Sequence, residues 1–306
     1  MCQLAGVSRA SYYRHCEEVQ PDEAEMAIRV MIQEIVLVHH RRYGYRRVTF
    51  DLRRRGMVVN HKRVLRIMQE DNLLVLRHRK SILTTNSRHE CAIYVNLAVR
   101  TTPSGINQLW VADITYIRLR TEFVYLAVVI DRFSRKAVGW SLDRKLAATV
   151  TVNALQHAIT NRQPPPGVIH HSDRGIQYSC SEYVQLLKDN GMVPSMSRPA
   201  NPYDNAFCES FMKTLKQEEI YCQVYRDFED LRAHLEEFIG NYYNRLRLHS
   251  ALGYQTPEEF EATAVGVPSE GTPDAATMKY FTPKKEVPSA VTSSGSPEPI
   301  VSRSGK

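Results

Sequence analysis

The chain has 306 residues with 40 Lys and Arg against 33 Asp and Glu, a formal net charge of +7, and 43% hydrophobic residues. That length exceeds one ordinary domain and leaves room for one large α/β core plus a smaller unit. The six cysteines, Cys2, Cys16, Cys91, Cys180, Cys208 and Cys222, form no C-x-x-C pair, which argues against a disulfide scaffold and for free thiols in a reducing compartment. His39 and His40 are adjacent with no paired cysteines at ligand spacing downstream, which argues against a zinc site. No apolar stretch reaches membrane-spanning length and the N-terminus lacks a hydrophobic signal core, so the expected setting is cytoplasmic with no membrane partner.

The first elements are helical and basic. Residues 4–15, LAGVSRASYYRH, combine a Gly turn, a Ser8 cap and a short helix, and read as the second half of a helix-turn-helix within 1–20. Residues 23–40 show helical apolar spacing at Met26, Val30, Ile35 and Val38. After the break RRYGY comes a helix over 46–55, then Gly56, and Asn60 as the cap of HKRVLRIMQEDN. Helix, Gly-containing turn and capped helix make a helix-turn-helix pattern over 23–76. In the second helix Val64, Leu65 and Met68 are expected inward, leaving Lys62, Arg63 and Arg66 outward. The charge is concentrated here: residues 41–80 hold 13 Lys/Arg and 3 Asp/Glu. Such clustering is the electrostatic footprint of a nucleic-acid binder, so Lys62, Arg63 and Arg66 are candidate DNA contacts.

Residues 77–105, with RHRKS and TTPSG, read as a linker. An α/β unit over 106–262 follows. Strands are expected at 109–119, at FVYLAVVID (123–131), which suits a strand buried on both faces, and at KAVGWSL. A helix over AATVTVNALQHAIT, a strand GVIHH leading to Asp173, a helix over 181–190 and a strand at 192–196 come next. A helix then carries Glu209, with Asn201 as cap, Pro202 at the first helical position and Asp204 in the first turn. Helix 228–244 and the turn YNRLRLHSALGYQTP close the unit. Strands interleaved with helices define an α/β layer architecture. Residues 265–306 are rich in Pro, Ser, Thr and Gly and are expected to be disordered, with Met278–Phe281 as a short candidate anchor.

Three acidic residues stand in three local contexts: Asp113 inside WVADITYI, Asp173 closing VIHHSDRG, and Glu209 on the helix. Asp is depleted in strands and rarely buried without a partner. Asp173, before Arg174 and Gly175, also suits a turn, and Glu209 alone suits a solvated helix face. On a helix, however, Asn205, Glu209 and Lys216 share a narrow sector while Phe207, Phe211 and Leu215 lie opposite. Three carboxylates converging from separate elements can hold two divalent ions for phosphodiester chemistry. His170 and His171 are possible neighbours of that site, as is Asn205, and both histidines also suit strand-end packing. Cys208 reads as a small packing residue.

WVADITYI, HSDRGIQYS, NPYDNAFCESFMKTLKQE and YYNRLRLHSALGYQTPEEF resemble the second-frame catalytic protein of bacterial insertion sequences encoded in two overlapping frames, within the integrase-like DDE transposases. The resemblance covers roughly residues 5–262 and implies a ribonuclease-H-like catalytic core over 106–262. It implies an Asp113, Asp173, Glu209 triad, two Mg²⁺ ions for which Mn²⁺ substitutes, and DNA strand cleavage and transfer. Lys216 matches a basic position that contacts DNA in integrases. The expected partners are the element's terminal inverted repeats and target DNA, further copies of the chain on that DNA, and an upstream-frame helix-turn-helix protein, fused or separate. One departure is Ala112, where the family usually has Thr; it should point to the other face of the strand from Asp113. The alternatives are a metal-dependent nuclease on the same fold and a DNA-binding regulator without catalysis. The basic module argues against the first and the intact triad against the second.

Overall fold

A computed structural model of the chain describes residues 8, 22–75, 94–198 and 205–265. The expectations for the half-motif in 1–20, for the greater part of the 77–105 linker, for the Asn201–Asp204 helix start and for the 265–306 tail with Met278–Phe281 lie outside those residues.

Three helices come first: α1 (Glu23–Val38), α2 (Tyr45–Arg54) and α3 (His61–Glu70). Asp22 caps α1 by accepting from Ala24 N at 3.1 Å, and Asn60 caps α3 by accepting from Lys62 N at 2.9 Å. Val48 and Leu52 of α2 and Val64, Ile67 and Met68 of α3 are fully buried between them, while Leu65 is half-buried. The helix expected from the apolar spacing is present, and of its four spaced residues only Ile35 is buried. Met26, Val30 and Val38 are exposed, and the inward stripe is Ile28, Ile32, Ile35 and Val36. Both sets have helical spacing, and the i, i+4, i+7, i+8 set wins because its β-branched side chains meet α2 and α3.

The sheet has five strands: β1 (Leu109–Arg118), β2 (Phe123–Asp131), β3 (Ala137–Asp143), β4 (Ile169–Ser172) and β5 (Val193–Met196), in the order β3-β2-β1-β4-β5. β1, β2 and β3 are antiparallel neighbours, whereas β4 runs parallel to β1 and β5 parallel to β4. A three-strand meander extended by two parallel strands is the ribonuclease-H-like α/β arrangement that the resemblance implies. β2 is covered on both faces, as its continuous apolar run requires.

Side-chain alternation sorts the core into two layers. Trp110, Ala112, Ala127, Val129 and Val138 meet α4 (Ala148–Arg162) and α5 (Ser181–Asp189) on one face. Gly139 allows α4 to approach β3: a Cβ there would lie 2.4 Å from Ala154 O and 2.5 Å from Ala158 N. On the other face Val111, Ile117, Leu126, Val128 and Ile130 meet α6 (Ala206–Leu215) and α7 (Phe228–Glu236). Each of those helices runs on into a π-helical stretch, Lys216–Ile220 and Glu237–Leu246. A short 3₁₀ turn, Ser250–Leu252, and α8 (Pro257–Val265) follow.

The three-helix unit is docked on this second face. Tyr43 is buried, donates its hydroxyl to Leu246 O at 3.0 Å and accepts from Leu248 N at 2.9 Å. Arg42 donates to Glu218 O at 2.8 Å and pairs with Glu219. Arg47 pairs with Glu218 at 3.2 Å, and Arg54 with Glu259.

Candidate active site

β1 and β4 are parallel neighbours in a register that pairs Val111 with His171. Two residues further along each strand direction stand Asp113 and Asp173, so the two carboxylates leave adjacent chains at one level. Asp113 shares its strand face with Val111 and Ile117, toward α6, while Ala112 packs in the opposite layer as expected. Helix α6 lies against β1, and Asn205 at its N-cap position donates from Nδ2 to Ala112 O at 3.4 Å. Glu209 follows one turn later and is exposed. Cys208, Phe211, Met212 and Leu215 turn inward, so Cys208 is the packing residue its size suggests.

The three carboxylates feel one another. Burial, then the neighbouring Asp173 and, more weakly, Glu209, push the Asp113 carboxyl up to about 8, against the pull of the Ile114 N–H and Lys216. Asp113 accepts from its own neighbour Ile114 N at 2.9 Å, and Asp173 from Gly175 N at 2.9 Å. Lys216 is half-buried; its ammonium stands 5.2 Å from the Tyr116 ring centre, and burial lowers its pKa. The π-helical turn begins at Lys216, so this lysine reaches the Asp113 side although α6 proper ends at Leu215.

Not every expected residue joins the site. His170 and His171 are fully buried, with His170 Nε2 3.0 Å from the Tyr183 hydroxyl and the His171 ring nitrogens 2.9 and 3.0 Å from the Ser195 and Ser197 hydroxyls. Burial pushes His170 down to about 3, so it is neutral and structural. These contacts support the packing reading of the pair. Among the outward residues of α3, Lys62 is exposed, but Arg63 and Arg66 both pair with Glu25 of α1, at 3.0 and 2.8 Å, and Arg66 also with Glu70 at 2.8 Å.

One neighbour escaped the sequence reading. Tyr178 is buried and its hydroxyl lacks a hydrogen-bond partner among the described residues; burial, then Tyr183, and then Asp113 and Asp173 raise its pKa. Only its place five residues after Asp173 in HSDRGIQYS hinted at this, and a packing tyrosine would look the same. The Asn205 Oδ1, on the side chain that bonds the strand of Asp113, is likewise buried without a partner among the described residues. The donor set, carboxylates with buried oxygen atoms to spare, suits a hard divalent cation. Among the described residues, no three His, Cys, Asp or Glu side chains are gathered tightly enough to hold one as they stand.

Adjacent aspartates at parallel strand ends, faced by a glutamate-bearing helix on this sheet, define the polynucleotidyl-transferase class of ribonuclease-H-like enzymes. Two integrase core domain models match residues 103–202 and 190–257, and an HTH-like domain model matches 21–81. The chain is 36% identical over 266 residues to the Escherichia coli K12 transposase InsF for insertion sequence IS3A, covering 85% of this chain and 92% of that one. It is equally identical over 264 residues to an uncharacterized 31 kDa protein of insertion element IS600 from Shigella sonnei, covering 85% and 97%. To a Lactococcus lactis transposase for element IS904 it is 35% identical, covering 79% and 97%. A chain from the simian T-cell lymphotropic virus intasome in complex with a PP2A regulatory subunit is a looser likeness, at 19% identity and a TM-score of 0.46 over 78% of this chain and 76% of that one. The chain belongs to the IS3-family transposases, and it is a transposase enzyme of the polynucleotidyl-transferase type. Among the described residues no helix is long and apolar enough to cross a membrane.

Proposed function

We propose that the chain cleaves DNA at the ends of an insertion sequence and joins those ends to target DNA, with Asp113, Asp173 and Glu209 as the catalytic carboxylates. The observation that carries this reading is the β1–β4 register, which sets Asp113 beside Asp173 on the face covered by the Glu209 helix. In this reading the carboxylates hold two Mg²⁺ ions, for which Mn²⁺ can substitute. When bound, such ions supply nucleophile activation and charge stabilisation at the phosphodiester.

The remaining roles belong to the protein's own side chains. Asn205 fixes the helix that presents Glu209 relative to the strand of Asp113. Lys216 offsets the carboxylate charge and contacts a DNA phosphate. Lys62 on α3, with Arg63 and Arg66 once DNA competes for them, supplies phosphate contacts from the recognition unit of residues 23–76, while residues 106–262 form the catalytic core. The basic excess at 41–80 supports this division. The DNA partners are the terminal inverted repeats and the target, the working form is an oligomer of this chain on DNA in the cytoplasm, and an upstream-frame helix-turn-helix protein completes recognition. A strand-transfer assay with end-containing oligonucleotides tests it: transfer is expected with Mg²⁺ or Mn²⁺ and none with a chelator. Transfer that persists in chelator contradicts it.

A further inference from the structure

On the far side of α6 from Glu209 lies a cavity of about 160 Å³, more than ten times the roughly 10–15 Å³ that one water needs. Four parts of the chain build it: Arg47 from α2, Arg135 from the β2–β3 turn, Ser210 and Thr214 from α6, and Arg247 and His249 from the segment after α7. Ser210 is exposed, so the cavity communicates with solvent.

Its charge is not balanced. Three guanidinium groups line it, and among the described residues their only carboxylate partner is Glu218, which pairs with Arg47 at 3.2 Å and with Arg247 Nε and Nη2, both at 2.8 Å. Arg135 makes no ion pair among the described residues; its guanidinium lies 4.9 Å from the Phe207 ring centre. Arg247 Nη1 stands 3.5 and 3.4 Å from the two ring nitrogens of His249, a face-on approach that leaves that N–H poorly satisfied. Burial, reinforced by Arg247, Arg47 and Arg135, drives His249 down to about 2, so the imidazole stays neutral and adds a polar ring without charge. Arg135 also holds φ at +61°, a left-handed conformation that side chains other than Gly, Asn and Asp seldom adopt. A long cation at a position that favours glycine carries a backbone cost, and among the described residues only the Phe207 ring offsets it.

We propose that this cavity is a second phosphate site, separate from the carboxylates, in which Arg135 and Arg247, with the Ser210 and Thr214 hydroxyls, bind a backbone phosphate of the DNA. Two guanidiniums and two hydroxyl donors around one opening match the geometry and charge of a phosphodiester. Because the two hydroxyl donors lie on the helix that carries Glu209, a phosphate seated here orients the duplex about α6. The inference rests on the transposase reading for the identity of the ligand, not for the existence of the site.

The test is DNA binding by the full chain in chelator, followed by anisotropy across a salt series, for wild type, Arg135→Ala and Arg135→Lys. Among the described residues the Arg135 guanidinium makes no ion pair and stacks on a ring, so its replacement should not unfold the chain, and the melting temperature monitors this. Arg135→Ala is expected to weaken binding about tenfold, the scale of one charge-assisted hydrogen bond, and to lower the log–log salt slope by about one. Arg135→Lys should keep the slope and recover part of the affinity. An unchanged slope and affinity for Arg135→Ala overturns the proposal. So does a wild-type chain stabilised by inorganic phosphate at matched ionic strength whose DNA slope ignores Arg135, since the cavity would then take a free anion. Strand transfer, measured separately on Asp113→Asn, reports on the carboxylate reading and is independent of these outcomes.

Discussion

Asn205 Nδ2 donates to the carbonyl oxygen of Ala112 at 3.4 Å, so the helix that bears Glu209 is tied to the strand position immediately before Asp113. The bond crosses between two elements separated by 93 residues in sequence. Through this one side chain the start of the Glu209 helix is held against the backbone of the strand that carries Asp113.

Replacing that tie should therefore cost activity more than stability. Asn205→Ala is expected to lower strand transfer by tenfold or more, because a shift of about 1 Å at a reacting site can cost about 100-fold. One long hydrogen bond is worth only about 1 kcal/mol to the fold. Transfer rates and a denaturant curve on the same preparation separate these effects. A variant with normal transfer would show that Glu209 is positioned by the packing of α6 alone.

Glu25 holds both Arg63 and Arg66, and the same pairing pulls its own carboxyl down to about 2. Glu25→Gln should loosen the two guanidiniums, which keep Asp22 and Glu70 as weaker competitors, tightening DNA binding and steepening its salt dependence. Lys62→Ala should do the reverse and flatten the slope by about one. If Glu25→Gln leaves the slope unchanged, the outer face of α3 does not meet DNA.

The interface between the three-helix unit and the core should be acid-sensitive. Glu218 sits between Arg47 and Arg247; burial opposes its ionisation, but Arg247 and Arg47 together hold it below the ordinary carboxylate range. A depressed folded-state pKa adds stability that is present above the unfolded value, about 4.5, and is lost as pH falls through the folded one. Denaturant midpoints measured from neutral to acidic pH should drop over that window. Glu218→Gln should cost about 3 kcal/mol at neutral pH, since it leaves Arg247 buried without its counter-ion, and should flatten part of the acid limb. A pH profile identical to wild type would assign the acid loss to other carboxylates.

Gly139→Ala should destabilise the core by about 1–3 kcal/mol or more, because its Cβ would meet the backbone of α4 below 3.0 Å. Thermal unfolding measures this directly. A neutral substitution would mean that α4 can slide away from β3 at little cost.

The sheet was legible in the sequence because each strand announces itself through a local run. The nine residues Phe123–Asp131 are read off one apolar segment, and Asn60 marks the start of α3 through its own side chain. The face of α1 was not, because apolar residues surround that helix and only contact with α2 and α3 chooses Ile28, Ile32 and Ile35 over Met26, Val30 and Val38. Asp113 stands out by residue type in an apolar strand, whereas Asp173 and Glu209 are singled out only by the resemblance of the motifs that carry them. By contrast, Arg47, Arg135 and Arg247 come from segments about 90 to 110 residues apart and look like ordinary surface cations until the fold assembles them. Tyr178 was hidden for a related reason: a buried tyrosine is unremarked unless its hydroxyl lacks a partner.

The central claim is that Asp113, Asp173 and Glu209 act together in DNA strand transfer. The most direct test is strand transfer by Asp113→Asn, Asp173→Asn and Glu209→Gln beside DNA binding on the same preparations. Each variant is expected to lose cleavage and transfer while retaining binding near the wild-type level, since affinity resides in the basic groups and the chemistry in the carboxylates. Near wild-type transfer by any one of the three would remove that residue from the site and contradict the account.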